Sequence, residues 1–301
     1  MISVLIPIYN YNIVGLVKNV HEQLLSSSVD FEILCLEDGS DEHFIELNLP
    51  ITSLSHIKHL ISETNEGRLK ARKRLSEEAK HKWLLYLDAD VKPKHKFFIK
   101  NYIEALKSNH DAYFGGFAYY ETPPNEKFLL RWKYGKKHEQ VTEAIRKLTP
   151  YKVIISANFL IKKSVFLALN LVVNKKLYGY DNYFASQLKS QNVSVKHLDN
   201  EVYHLGIETS EQYLQKKEQA AEALLFFYET GLITSHENGL LKLFLVLRKW
   251  HLNHFFSFIY LIFKNSLKRQ LTGKNPSLKL LQLYRLSYLC HLNNNKQNII
   301  S

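Results

Sequence analysis

Leu84-Leu85-Tyr86-Leu87-Asp88-Ala89-Asp90 decides the fold. An apolar run of this length reads as a buried strand, and here it ends in two carboxylates one residue apart. Two carboxylates at one strand end repel each other unless a cation sits between or beside them. Hard divalent ions such as Mg2+ or Mn2+ take oxygen ligands and share them with phosphates. The same pair reads equally as two solvated residues opening the next helix, since aspartate favours turns and helix starts.

Outward from this stretch, the first half alternates strand-like and helix-like segments. Ile2 to Ile6 is an apolar run that Pro7 is expected to stop. Ile13 to Leu25 carries helical apolar spacing through Leu16, Val17, Val20, Leu24 and Leu25. Phe31 to Leu36 and Ile57 to Ile61 are further apolar runs, the first followed by the turn residues Asp38-Gly39-Ser40. Gly67 to Lys80 reads as a basic helix, and Trp83 to Leu87 as the fourth strand. Strands separated by helices imply βαβ units and a parallel sheet, hence an α/β fold. Ligands of such sheets gather beyond the carboxyl ends of the strands. Pro7, Asp38, Ser62 to Asn65 and Asp88 all follow strand ends, so the reading places them at one site.

The second half is less regular. Ala112 to Ala118 and Val153 to Ile161 read as strands, and Glu121 to Pro150 as a Lys-rich loop with helical pieces over the site. Val193 to Leu205 holds two short extended runs, and the pattern from Ser210 onward is helical. A boundary is expected near residue 208, dividing an α/β domain over 1–208 from a helical C-terminal extension over 209–301.

At 301 residues the chain can bury one large α/β core, or one core plus a small appendage. It carries 40 Lys and Arg against 29 Asp and Glu, a net charge of +11, which attracts nucleotides, nucleic acid or an acidic membrane face. No nucleic-acid-binding module is present, and the basic residues are interleaved with aliphatic ones, so no nucleic-acid partner is expected. Cys35 and Cys290 form neither a disulfide framework nor a zinc spacing, a pattern that fits a reducing cytoplasm. No signal-peptide pattern opens the sequence. The longest uncharged stretch toward the C-terminus, Trp250 to Phe263, is shorter than the ~20 apolar residues of a spanning helix, so no transmembrane span is expected.

Four further stretches accompany Asp88-Ala89-Asp90. They are Val4-Leu5-Ile6-Pro7-Ile8-Tyr9-Asn10, Leu36-Glu37-Asp38-Gly39-Ser40-Asp41, Asn65-Glu66-Gly67-Arg68-Leu69-Lys70-Ala71-Arg72 and Ser156-Ala157-Asn158-Phe159-Leu160-Ile161. In this order and spacing, over roughly residues 2 to 208, the chain closely resembles family 2 glycosyltransferases. The resemblance implies a GT-A fold, with a mostly parallel central sheet flanked by helices. It also implies a nucleotide-sugar donor, UDP-sugar foremost, and inversion at the anomeric carbon.

The resemblance carries roles position by position. Pro7, Tyr9 and Asn10 match the loop against the nucleoside. Asp38 matches the acid that hydrogen-bonds the base, with Glu37 replacing a commoner aspartate beside it. Asn65, Gly67 and Arg72 match the segment that closes over base and phosphates. Gly67 permits close backbone approach, and a helix start bearing Arg68, Lys70 and Arg72 suits an anion. Asp88 is implied at the ribose or at the metal, and Asp90 as a metal ligand. His204 matches a histidine that in some members completes a site for Mn2+ or Mg2+, and a structural role for it stays open beside that reading. Imidazole suits Mn2+ better than Mg2+. In Gly179-Tyr180-Asp181-Asn182, Asp181 matches the catalytic base that takes the acceptor's proton, while Tyr180 stands where glutamate is usual. Asp181 equally suits the cap of a helix from Asn182 to Lys189. Gly115-Gly116 reads as a close approach to the sugar or as a turn, and Arg131, Trp132 and Lys133 as acceptor contacts or surface packing.

Leu240 to Leu271 mixes large apolar residues with Lys242, Arg248, Lys249, Lys264, Lys268 and Arg269. Such a segment suits an anionic membrane surface, and equally internal helix packing or an oligomer contact. The expected partners are therefore a nucleotide-sugar donor, a glycan or lipid-linked acceptor, and an anionic membrane through 240–271. The expected location is the cytoplasm, peripheral at the inner membrane face. Two rival readings stay open. One is a GT-A nucleotide-sugar binding protein without transfer activity, motivated by Tyr180 and Glu37. The other is a sugar nucleotidyltransferase, which would carry a Gly-rich triphosphate loop where this chain has Pro7-Ile8-Tyr9-Asn10.

Overall fold

The computed structural model describes residues 1–169, 171 and 178–300. Strand β1 (Ile2–Ile8) leads to helix α1 (Val14–Leu25), and β2 (Phe31–Asp38) to α2 (Glu42–Asn48). β3 (Ile57–Ser62) precedes α3 (Arg68–Glu78), and β4 (Trp83–Leu87) is followed closely by β5 (Val91–Pro93). Next come α4 (Phe98–Ala105), β6 (Ala112–Phe114), β7 (Phe117–Ala118), α5 (Leu129–Tyr134), α6 (Glu143–Arg146), β8 (Asn158–Lys162) and α7 (Lys163–Ala168). After α8 (Tyr180–Ser190), β9 (Val195–His197) and β10 (Val202–His204), the chain closes with α9 (Ser210–Glu229), α10 (Gly239–Lys249), α11 (Asn253–Thr272) and α12 (Leu278–Ile300).

Seven strands form one sheet in the order β3-β2-β1-β4-β8-β6-β9. β8 runs antiparallel to both neighbours, and every other pair is parallel. β1, β2 and β4 are buried almost throughout, which is why each reads as an unbroken apolar run rather than an alternating one. α1 covers the sheet with Leu16, Val17, Val20 and Leu24. The three remaining strands form a small sheet in the order β5-β10-β7.

Three expected strand limits need correction. Pro7 does not stop β1. Pairing with β4 ends at Leu5, so at Pro7 the strand is bonded to β2 alone, where a residue without an N–H is tolerated. Ala112 to Ala118 is two strands, because Gly115 and Gly116 carry the chain from one sheet to the other. Gly116 takes φ +87°, and a β-carbon on Gly115 would run into Asn158, Asn200 and Tyr102. The pair is a turn packed against protein. The strand expected over Val153 to Ile161 begins only at Asn158, since the chain turns at Ser156 and Ala157.

The chain divides into two compact units. The first comprises Met1–Ala118, Gln140–Lys176 and Gln191–Gly206 and holds both sheets. The second comprises Tyr119–Glu139, Leu177–Ser190 and Ile207–Ser301. The stretch Glu121 to Pro150 carries the expected helical pieces, α5 and α6, and is divided between the units after Glu139. In the second unit, α9 opens on a capping box in which the Thr209 hydroxyl accepts from the Gln212 amide and the Gln212 side chain accepts from the Thr209 amide. Arg131 is buried between the rings of Tyr119 and Tyr213, 5.4 and 5.0 Å from their centroids, and pairs with Glu139 at 2.9 Å and Glu208 at 3.2 Å. It holds this unit together internally. Trp132 donates to the Tyr120 carbonyl at 2.9 Å, and Lys133 to Asn275 at 2.6 Å.

Candidate active site

Asp90 lies between β4 and β5. Because β10 pairs antiparallel with β5, His204 stands opposite Val91, the residue after Asp90. The Leu205 amide donates to the Asp90 carbonyl at 2.8 Å, and His204 Nε2 lies 3.3 Å from Asp90 Oδ2. The imidazole stacks on Phe117 with 5.0 Å between centroids. Burial pushes the Asp90 carboxyl up, but the hydrogen bond and charge of His204, together with Arg68, outweigh it and hold the group below its ordinary value. A β-carbon at Gly206 would run into Asp90 Oδ2, so the carboxylate rests against bare backbone. Tyr11 is also near: burial, then the Asp90 charge, pushes its hydroxyl up.

Asp88 is engaged differently. Arg72 Nη2 donates to Asp88 Oδ1 at 2.7 Å and to the Ser156 carbonyl at 2.6 Å. The Arg72 guanidinium lies 5.9 and 5.8 Å from the ring centroids of Tyr86 and Phe159. The second Asp88 oxygen lies 3.6 Å from Arg68 Nη1, whose side chain is 54% exposed. Arg68 and Arg72 reach the same carboxylate because residues four apart share a helix face.

The end of β2, separated from β4 by β1, is laced by backbone donors. Asp38 at the end of β2 accepts from the Glu66 and Gly67 amides, both at 2.8 Å. Gly39 takes φ +71°, and a β-carbon there would meet the backbone of Thr64 and Asn65. Asp38 thus fixes the entry to α3, with Gly67 itself at φ +93°. Asn10, at φ +49°, exchanges hydrogen bonds with Asp41, and its amide donates to Ser40 Oγ at 3.0 Å. Tyr9 is 56% exposed.

Glu37, expected against the nucleotide, is wholly buried instead. Its carboxylate accepts from Ser40 Oγ at 2.6 Å and Asn48 Nδ2 at 2.8 Å, and lies 3.2 Å from His59 Nε2. Burial pushes it up, yet the hydrogen bonds from His59, Ser40 and Asn48 prevail and hold it low. Its place is to brace the turn that carries Asp38. Asp181 stands exposed in the first turn of α8, in the second unit. The helix begins at Tyr180 rather than Asn182, so Asp181 lies inside it and does not cap it.

A family model described as glycosyl transferase family 2 matches residues 3–169, more than half of the chain. The chain belongs to this family. Two solved structures share its fold. One is the mannosyltransferase PcManGT from Pyrobaculum calidifontis in complex with GDP-Man and Mn2+, 11% identical, with TM-score 0.51 over 74% of this chain. The other is S. aureus TarS 1-349, 16% identical, with TM-score 0.50 over 98% of this chain and 91% of that one. The chain spans 64% of the length of PcManGT. No curated protein matches it.

This family 2 chain presents fewer metal donors than its sequence suggests. Among the described residues no group of three or more His, Cys, Asp or Glu is poised for a metal. Asp88, expected as a third ligand, has its carboxylate turned to Arg72 and Arg68. Asp90 and His204 remain. A divalent ion that draws most of its ligands from phosphates and water needs few from protein. An ionised carboxylate and an imidazole beside bare backbone at Gly206 therefore fit a cation bound together with a diphosphate. Sequence reasoning missed Tyr11 and Gly206 at this edge. No spacing signals either, since both are set by the β5–β10 register and the turn after β1.

Proposed function

We propose that this chain transfers a sugar from a nucleoside-diphosphate donor to a hydroxyl of a glycan or lipid-linked acceptor, with inversion at the anomeric carbon. Family membership supports glycosyl transfer, and the Asp90–His204 pair at 3.3 Å carries the reading of a diphosphate site. The acceptor oxygen bonds to the anomeric carbon as the bond to the diphosphate oxygen breaks. The electron pair leaves with the nucleoside diphosphate, and the acceptor's proton passes to a carboxylate. Asp181, exposed and matched to the family's base position, is the candidate for that carboxylate. Asp90 and His204 would hold Mn2+ or Mg2+, which supplies charge neutralisation for the departing diphosphate. Arg68 adds positive charge at the same edge, and the open ring of Tyr9 offers the nucleoside a surface to stack on. The Arg72–Asp88 pair keeps the strand end in shape.

The test is a panel of UDP-sugars and GDP-sugars with Mn2+, read by nucleoside diphosphate release and by melting temperature. GDP-mannose joins the panel because PcManGT was captured with it. Release from at least one donor, abolished by EDTA, is the expected result. Asp181→Asn should lower transfer to an acceptor by about 10²–10⁴-fold. A donor that raises the melting temperature without being turned over would instead identify a binder that does not transfer.

A further inference from the structure

The first half of helix α11 has its polarity inverted, while its second half buries Leu267 and Leu271 in the ordinary way. Asn253, Ser257 and Tyr260 face the protein, while Phe255, Phe258, Leu261, Ile262 and Phe263 are exposed. Phe255 and Phe258, 59% and 58% exposed, continue to Ile262 along one stripe of the helix. α10 packs against α11 and extends the pattern through Leu243, Val246 and Trp250, the last 70% exposed. The inward polar groups are put to use: Asn253 Nδ2 donates to Asn294 Oδ1 at 2.6 Å, and Ser257 Oγ lies 3.3 Å from His291 Nδ1. A helical segment held inward by an amide and hydroxyls and apolar outward is built as if hydrocarbon were its outer neighbour. Exposed apolar surface on this scale marks an interaction site.

Charge narrows the choice of neighbour. From residue 238 to the C-terminus there are ten Lys and Arg and no Asp or Glu, which accounts for nearly all of the net charge of +11. Lys242 and Lys268 pair with Glu237 at 2.9 Å and Glu218 at 3.0 Å. Arg248, Lys249 and Arg269 are exposed and make no ion pair among the described residues. Arg248 and Lys249 immediately precede Trp250, and Arg269 follows Ile262 by seven residues on the same stripe. A second copy of this chain would bring two such basic rims together, which charge opposes. No helix among the described residues is long and apolar enough to cross a membrane.

We propose that the α10–α11 face docks on an anionic lipid bilayer. Phe255, Phe258, Ile262 and Trp250 insert at the boundary between headgroups and acyl chains, and Arg248, Lys249 and Arg269 meet the lipid phosphates. The proposal does not depend on the transfer reaction.

The full chain would be pelleted with vesicles of phosphatidylcholine alone and of phosphatidylcholine containing phosphatidylglycerol. Strong pelleting with the anionic vesicles, weakening with salt, is expected. Joint substitution R248Q, K249Q and R269Q should weaken partitioning by about fivefold for each cation. Joint substitution F255S, F258S and I262S should abolish it while the melting temperature holds. In the unsubstituted chain, lipids brominated in their acyl chains should quench a fluorescence component that W250F lacks. Absence of pelleting with either vesicle would overturn the proposal, as would pelleting indifferent to the apolar substitutions. A concentration-dependent dimer that those substitutions dissociate, without vesicle binding, would assign the face to a second copy instead.

Discussion

The sheet-bearing unit and helix α11 break the usual division of inside and outside in opposite directions. The first buries charge. Arg146, 1% exposed, donates to the carbonyls of Val141, Phe114 and Leu198 at 2.8, 2.9 and 2.7 Å. Arg72 and Asp88 are buried against each other, and Glu37 is buried among Ser40, Asn48 and His59. α11 does the reverse, burying an amide and a hydroxyl and exposing phenylalanines. A buried charge persists where surrounding groups compensate its desolvation, and here each one braces a turn at the edge where Asp38, Asp88 and Asp90 emerge. An exposed apolar stripe has no such internal compensation. One departure marks the framework of a site, and the other marks a neighbour outside the chain.

That contrast can be broken by measurement. The largest effect is expected from Arg146→Met, which strands several buried carbonyls and should destabilise the fold by about 3–5 kcal/mol in denaturant titration. A loss under about 1 kcal/mol would mean that the buried charge is not what holds the Gly115-Gly116 turn. The next effect concerns its neighbour. Burial foremost pushes the His197 imidazole down to about 4 from an ordinary 6.5. The unfolded chain therefore takes a proton that the folded chain refuses. Stability should fall by about 3 kcal/mol as pH drops from about 6.5 to about 4 and level off below. His197→Gln should flatten that limb, and an unchanged slope would relieve His197 of the role. Thr209→Ala removes one half of the α9 capping box and should cost about 1 kcal/mol. Smallest of all, Phe258→Ser should change stability by no more than about 0.5 kcal/mol, because the side chain it shortens is already outside. A large loss there would place Phe258 in the packing of the second unit and erase the contrast.

The sequence disclosed the site edge better than the geometry within it. Buried parallel strands read as unbroken apolar runs, so β1, β2 and β4 were legible, and with them the emergence of Asp38, Asp88 and Asp90 at strand ends. The partnership of Asp90 and His204 was expected only through family resemblance, since it is made by the antiparallel register of β5 and β10. Glu37 was placed at the nucleotide only by its position in the matched motif, whereas Asn48 and His59, not adjacent in sequence, bury and satisfy it. Arg131, read as an acceptor contact or surface packing, is drawn inward by Glu139, Glu208 and two tyrosine rings. Local pattern reports which element a residue joins. It does not report which distant partner will claim a charged side chain.

If Asp90 and His204 hold the diphosphate end of the donor, metal-dependent release of nucleoside diphosphate depends on both. With an active donor and Mn2+, Asp90→Ala should cut release by about 10²–10³-fold while leaving the melting temperature of the unliganded chain nearly unchanged. Gly206→Ala, whose β-carbon intrudes on the Asp90 carboxylate, should lower release in the same direction. Release by Asp90→Ala at the parent's rate, with the same dependence on Mn2+, would contradict the account.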